Sequence, residues 1–167
     1  MNRIRPPRLL VLKNWQILWM MRLFPPLLFN RIRLENLSPD LMQCRVRIAH
    51  SWMNRNLQGS IFGGTLFSAL DPFLPVMLWQ IFARKGQKLE AWLKKAEIDY
   101  LKPSSTRMKI DFKLEETDLQ EAELALAGLG KFEKWLPAEV VDQNGLVCVR
   151  ARLLVYLRTY KGHSANF

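Results

Sequence analysis

Residues 54–73 read NRNLQGSIFGGTLFSALDPF, and the rest of the chain is organised around this stretch. It begins as a polar loop with Gly59, passes the pair Gly63-Gly64, and continues as an apolar, helix-favouring run to the carboxylate of Asp71. Two glycines where a helix begins let a ligand or another chain approach the backbone closely, because neither has a Cβ. The free N–H groups of a first helical turn, together with the helix dipole, favour an anion. The stretch therefore predicts a central helix whose start is suited to bind an oxyanion.

Asp71 lies seven residues after Gly64, about two helical turns, so both positions share one face of the predicted helix. The next residue is Pro72, which must end or kink that helix. An aspartate directly before a proline is also typical of the N-cap and first position of a second helical segment. A carboxylate that capped backbone N–H groups would have a lowered pKa and would be a weaker base. From the residues alone, Asp71 is either a functional carboxylate or a structural cap.

The composition is that of one folded domain. The chain has 167 residues, 49% of them hydrophobic, which is enough for one core. Cys44 and Cys148 are its two cysteines, and each lies in a strand-like run. Two cysteines are too few for a disulfide framework and lack the spacing of a metal site. We therefore expect buried thiols, no metal, and a reducing, cytoplasmic location.

Positive charge is concentrated early in the chain. The net charge is +10, and residues 1–34 hold seven Arg or Lys and no Asp or Glu. Such a segment attracts nucleic acid or an anionic membrane surface. Because no nucleic-acid-binding motif accompanies the charge, we expect no nucleic-acid partner.

The basic leader, residues 1–27, also contains a helical pattern. Apolar residues recur at steps of three and four from Leu9 to Phe24, where two prolines end the pattern. Polar residues interrupt this run, which is too short to span a bilayer and is not followed by a signal-peptide cleavage site. Two interpretations remain: a helix packed on its own protein, or an interfacial helix that brings residues 1–26 into peripheral contact with a membrane.

The rest of the chain reads mainly as strands around the central helix. Alternation of apolar and polar residues is clean from Met42 to Ile48, and Asn144-Gly145 is a strong hairpin signal. The expected elements are strands in 28–50, the central helix in 51–82, strands in 90–102 and 108–115, a short helix in 119–127 capped by Thr117 or Asp118, and strands in 133–141 and 146–157. This order predicts an α+β fold, in which an antiparallel sheet wraps around one long central helix beside an extra N-terminal helix. The main domain would cover residues 28–158, followed by a frayed tail at 159–167.

The spacing of the central stretch resembles that of a known family. Asn-x-x-Gly-x-x-Phe-Gly-Gly, then six residues and Asp, is similar to the pattern of the hotdog-fold thioesterases of the phenylacetate-pathway type, which have His in place of Phe. The matching residues here are Asn56, Gly59, Phe62, Gly63, Gly64 and Asp71. The segment 98–103 also looks like the third strand of that fold. The Asp-Pro-Phe sequence at residues 71–73 resembles an uncharacterised thioesterase-like branch of this superfamily more closely than it resembles the phenylacetate-pathway type. The resemblance covers about residues 30–158.

The resemblance implies a hotdog fold that dimerises by joining two sheets edge to edge, with active sites at the dimer interface. It implies hydrolysis of an acyl-CoA or acyl-carrier thioester, with the coenzyme A thioester as substrate and no separate cofactor. Asp71 would activate water or attack the carbonyl, the Gly64 N–H would polarise that carbonyl, and Asn56 would orient the water or hold the thioester.

Four further positions would contact the substrate by the same resemblance: Gly59, Phe62, Gly63 and Phe67. The assembly would be a homodimer or a dimer of dimers. A second hypothesis keeps the fold without the chemistry: a non-catalytic hotdog protein that binds an acyl chain or lipid in the same groove and associates with a membrane through its leader.

Overall fold

The computed structural model describes residues 9–160; the first eight residues of the leader and most of the predicted frayed tail lie outside them. The helices are α1 Asn14–Leu23, α2 Pro25–Phe29, α3 Gly63–Leu70, α4 Phe73–Arg84 and α5 Glu116–Leu129. The strands are β1 Ile32–Leu37, β2 Gln43–Ile48, β3 Leu89–Tyr100, β4 Met108–Lys113, β5 Lys131–Asp142 and β6 Val147–Thr159.

The strands form one antiparallel sheet in the order β1-β2-β4-β5-β6-β3. Strands β3 and β6 pair from Leu89 to Tyr100, whereas β4 and β5 pair only from Met108 to Ile110. Strand β2 shows how the sequence sets the two faces: Cys44, Val46 and Ile48 are buried while the residues between them point away from the core. The sheet and its helices confirm the predicted α+β arrangement.

The central helix consists of two segments that meet at Asp71-Pro72. Pro72 cannot donate a backbone hydrogen bond, so the chain bends there and α4 begins one residue later. Nine of the twelve residues of α4 are buried, which makes this segment the centre of the core. The span Gly63–Arg84 is long and apolar enough to cross a membrane, yet 67% of its apolar window is buried inside the protein, as expected of a core helix.

The N-terminal helix is shorter than the pattern from Leu9 predicts, because α1 begins only at Asn14. The two prolines do end α1, since Phe24 is extended, but they also start the five-residue α2. Proline is well suited to a first helical turn, where no intrahelical partner exists for its missing N–H. The predicted cap of α5 is also corrected: Glu115 is the N-cap, and its N–H donates to the Asp118 carboxylate at 2.8 Å.

Helix α1 covers the edge of the sheet at β1. Ile17 and Met21 on its inner face join the core. The Arg22 guanidinium donates to the backbone carbonyls of Leu34 at 2.9 Å and Glu35 at 3.3 Å. Strand β1 is therefore protected, whereas β3 at the other end of the sheet pairs only with β6 among residues 9–160.

The segment before α1 is anchored to the buried helix α4 through Gln80. This side chain is fully buried; its amide accepts from the Leu12 N–H at 2.8 Å and donates to the Leu10 carbonyl at 3.0 Å. The N-terminal segment is thus part of the same packed body as the sheet.

Replacing Gln80→Leu tests this anchor. The change leaves the backbone groups of Leu10 and Leu12 without their partner, so we expect the free energy of unfolding to fall by about 1–3 kcal/mol in urea titrations. The matched control is Gln120→Leu on the exposed face of α5, which should change stability by less than about 0.5 kcal/mol. Equal unfolding midpoints for both variants would contradict the anchor.

Candidate functional site

The loop before α3 is held by the buried side chain of Asn54, which is 2% exposed. Its Oδ1 accepts from the Ser51 N–H at 2.9 Å. Its Nδ2 donates to the carbonyls of Asn30 at 2.9 Å and Ala49 at 2.7 Å. Asn54 therefore joins the loop, the end of α2 and the end of β2. The sequence showed it only as one polar residue of a turn, although its burial makes it the residue that positions the site.

Asn56 shapes the turn that follows. Its Oδ1 accepts from the N–H groups of Gln58 at 3.0 Å and Ser60 at 3.1 Å, and its Nδ2 donates to the Ser60 hydroxyl at 2.8 Å. Gly59 has φ = +83°, a conformation that favours glycine, and its carbonyl lies 2.8 Å from His50 Nε2. Most of the Asn56 side chain thus maintains the loop, and one amide hydrogen remains for a ligand.

Helix α3 begins at Gly63, as the glycine pair predicts. The Phe62 N–H donates to the Asn54 carbonyl at 2.8 Å, and the Phe62 carbonyl accepts from Thr65 at 2.9 Å and from Leu66. Within residues 9–160, the N–H groups of Gly63 and Gly64 come before the first bonded donor of the helix and have no partner. Two backbone donors are therefore available at the positive end of the helix dipole.

Aromatic rings flank these donors. A Cβ on Gly64 would overlap the ring of Phe62, so only glycine fits there while that ring keeps its place. On Gly63 a Cβ would meet the ring of Tyr100 at 3.5 Å, and the Tyr100 hydroxyl donates to the Gly63 carbonyl at 3.1 Å. Tyr100 is a site residue that sequence reasoning missed; its position in the segment 98–103, at the end of β3, was the available signal.

Asp71 ends α3 and does not cap α4. Its backbone N–H donates to the Phe67 carbonyl, while its carboxylate makes no hydrogen bond or ion pair within the described part of the chain. The capping hypothesis is therefore wrong. Although the residue reaches solvent, the protein atoms around its carboxyl remove part of its hydration, and this burial raises its pKa above the ordinary value. The predicted lowering of its pKa is absent.

The donors and the carboxylate lie on one helix face but are separated along it. Seven helical residues from Gly64 to Asp71 advance about 10 Å, and Phe67 lies between them on the same face. The free N–H groups point out of the helix start, away from Asp71. A carbonyl oxygen bound there would lie farther still from the carboxylate of its own chain. A single chain therefore has both the N–H donors and the carboxylate, but it does not place them around the same ligand carbonyl.

Apolar side chains border the start of α3 on the helix, and both polar and apolar side chains border it on the loop. Phe62 and Phe67 are each about half exposed. A groove of about 580 Å³ beside the loop is lined by Trp52, Arg55, Asn56, Leu57, Gln58 and Gly59. Among residues 9–160, no three His, Cys, Asp or Glu side chains are close enough together to hold a metal ion.

Four arginines of the outer sheet face pair with carboxylates. The pairs are Arg45–Asp111, Arg47–Glu35, Arg150–Glu139 and Arg152–Glu97, at 2.6–3.2 Å. The charges of these arginines are therefore largely compensated on the sheet.

The raised pKa of Asp71 predicts a stability effect of known sign. Folding costs the ionised Asp71 part of its hydration, so its destabilising effect is present above the folded-state pKa and disappears as pH falls through it toward the ordinary value of 3.8. We expect Asp71→Asn to melt at a higher temperature than wild type at pH 7 and at the same temperature near pH 3.5, by calorimetry. A lower melting temperature for the variant at pH 7 would instead support a stabilising role of the carboxylate.

Solved structures of low sequence identity share this fold. A protein of unknown function from Pseudomonas aeruginosa, designated a probable thioesterase, aligns with a TM-score of 0.79 at 19% identity, over 92% of this chain and 100% of that one. The PaaI protein from the phenylacetic acid degradation operon of E. coli aligns with a TM-score of 0.59 at 18% identity, over 89% and 94%. A thioesterase from Haemophilus influenzae aligns with a TM-score of 0.59 at 10% identity, over 83% of this chain and 85% of that one. These likenesses establish the fold and confirm the predicted hotdog architecture.

No curated protein matches the chain. The family model of DUF4442, a domain of unknown function, matches residues 13–157. This match includes α1, the sheet up to Leu157 in β6, the glycine pair and Asp71. Because it spans most of the sequence, the chain belongs to the DUF4442 family.

Proposed function

We propose that the protein is a thioester hydrolase that acts on acyl-CoA or acyl-carrier substrates at a site built by two copies of the chain. The observation that carries the proposal is the start of α3, where two free backbone N–H groups share a helix face with an unbonded carboxylate. Hydrolysis of an ester or thioester requires a hydrogen-bond donor at the carbonyl oxygen and a base or nucleophile near the carbonyl carbon. The structural neighbours with thioesterase names support this chemistry.

In the proposed reaction, the Gly64 N–H donates to the thioester carbonyl oxygen and stabilises the negative charge that develops there. Asp71 removes a proton from water, which attacks the carbonyl carbon, or its carboxylate attacks that carbon directly. In the first route, the carbon–sulfur bond breaks as the proton that Asp71 took from water passes to the sulfur, so a thiol and a carboxylic acid are released. In the second route, the sulfur leaves as a thiolate that takes a proton from solvent, and a water molecule then hydrolyses the acyl–Asp71 anhydride, which releases the acid and restores the carboxylate. Partial loss of hydration without a capping bond suits Asp71 to either role, because its raised pKa makes the carboxylate more basic than an ordinary aspartate.

The distance along α3 favours a shared site, because one chain cannot place its own Asp71 beside a carbonyl held at its own Gly64. The two sheet edges indicate where the second copy binds. The β1 edge is covered by α1, while the twelve-residue strand β3 is the open edge. Antiparallel pairing of two β3 strands around a two-fold axis would satisfy that edge and bring two α3 helices together.

The proposed substrate has an apolar acyl group and an anionic carrier. Phe62 and Phe67 offer exposed aromatic surface for the acyl chain on the face that holds Gly64 and Asp71. A net charge of +10 attracts coenzyme A or an acidic carrier protein. Two free, buried cysteines suit a reducing, cytoplasmic compartment.

One observation favours the second hypothesis, acyl binding without hydrolysis. Phe62 stands where the resembled thioesterases have His, and its ring lies over Gly64. A ring in that place blocks the approach of a carbonyl to the backbone unless it swings aside. Acyl-chain binding by the chain without thiol release would support this alternative.

Thiol release from short, medium and long acyl-CoAs separates the two hypotheses. We expect Asp71→Asn to lower kcat by about 100-fold or more, since the base or nucleophile is lost. Gly64→Pro removes the N–H in the first helical turn, where proline is tolerated, and should cost about 100-fold. Its control is Gly64→Ala, which meets the same Phe62 ring but keeps the N–H and should be distinctly more active. Absence of release on every chain length would refute the hydrolase.

A mixing experiment tests whether the site is shared. Asp71→Asn and Gly64→Pro chains should each be inactive alone, but a mixed dimer has one site with both groups intact. After unfolding and refolding together in equal amounts, we expect about a quarter of wild-type activity, because half of the dimers are mixed and each has one working site. Activity no greater than that of the separate variants would show that each chain forms its own site.

A further inference from the structure

We propose that the outer face of α1, together with α2, docks on an anionic lipid bilayer. The residues that carry this inference are Trp15, Trp19 and Leu23, which follow one another every four residues on one side of α1. They are 59%, 54% and 61% exposed. The opposite side of the helix bears Ile17 and Met21, which are buried in the core. The helix thus packs on its own protein with one face and offers an apolar stripe with the other.

The segments on both sides of α1 in the sequence also expose apolar side chains. Ten of the 21 large hydrophobic residues that are exposed in the described chain lie within residues 9–29. The other members of this group are Leu9, Leu10, Val11, Met20, Phe24, Leu28 and Phe29. Such a concentration of exposed apolar side chains in one part of the sequence is typical of an interaction surface. Tryptophan is the side chain most suited to a membrane interface, because its ring is apolar and its N–H is polar.

Charge selects an anionic bilayer as the occupant. Residues 9–34 contain Lys13, Arg22, Arg31 and Arg33 and no Asp or Glu. Within the described part of the chain, the exposed Lys13, Arg31 and Arg33 make no ion pair. A second copy docked on this face by a two-fold axis would bring like charges together, whereas anionic lipid headgroups would neutralise them.

The geometry fits a helix that lies on the membrane. Ten residues of α1 extend about 15 Å, which is half of a hydrocarbon core, so α1 cannot span it. Its attachment is rigid, since Ile17 and Met21 are buried in the core and Arg22 binds β1. Hydrogen bonds from Asn54 and Thr65 to Asn30 hold the end of α2 beside the candidate site. Docking through this face would therefore bring the start of α3 close to the lipid surface.

Co-sedimentation of the full chain with vesicles tests the proposal, and its readout does not depend on hydrolysis. The vesicles are phosphatidylcholine alone or with about one third phosphatidylglycerol. We expect wild type to bind the anionic vesicles at least about tenfold more tightly than the neutral ones, and the preference to weaken at high salt.

Point substitutions are preferable to removal of the leader, because α1 also fills the core. The triple variant Trp15→Gln/Trp19→Gln/Leu23→Gln should bind anionic vesicles at least about tenfold more weakly. The matched control is Leu124→Gln/Leu129→Gln/Leu146→Gln, which removes three exposed leucines elsewhere and should bind as wild type does. Lys13→Gln/Arg33→Gln should weaken binding to anionic vesicles and leave binding to neutral ones unchanged.

Three results would overturn the proposal. Wild type without preference for anionic vesicles would remove the role of charge, and a triple variant that binds as wild type does would remove the role of α1. If wild type does not bind vesicles and instead forms an oligomer that the triple variant cannot form, the face is a contact between copies of the chain. Because the substituted residues are exposed, we expect every variant to fold, and melting curves check this.

Discussion

Helix α4 is buried on nearly every side, and this burial dictates how the other elements are arranged. Its apolar surface is covered almost completely, so the strands must present a continuous apolar face to it, and β2, β4 and β6 alternate accordingly. Proline at position 72 divides α3 from α4. Because α4 occupies the centre of the core, α3 lies nearer the margin, where its first turn can meet a ligand.

The candidate site stands out because the residues around it are satisfied. Asn54 and Asn56 use their amides to hold the loop, and no buried side-chain nitrogen or oxygen in residues 9–160 lacks a partner. Within residues 9–160, the N–H groups of Gly63 and Gly64 and the carboxylate of Asp71 have no protein partner and reach solvent. They are therefore the polar groups of this region that a substrate could bind.

The two ends of the sheet differ, and each end carries one of the two proposed contacts. Arg22 and the inner face of α1 protect the backbone of β1, while β3 has no second neighbouring strand among the described residues. The same helix turns its tryptophans outward. One end of the sheet is thus closed by an element with a second, apolar face, and the other is where the proposed partner strand would pair. In the proposed assembly these two contacts use different ends of the sheet and do not compete.

The fold class, the helix start at the glycine pair, the break at Pro72 and the alternation of β2 could all be predicted from the amino acids, because these features follow from local geometry and residue type. Three features were decided only by tertiary structure. Whether the Asp71 carboxylate forms a capping hydrogen bond depends on where α4 begins. The roles of Asn54 and Tyr100 depend on contacts with residues distant in sequence. Helix α1 is apolar on more than one side, so its sequence does not show which side packs on the protein. The position of the sheet edge decides this: it buries Ile17 and Met21 and leaves Trp15 and Trp19 exposed.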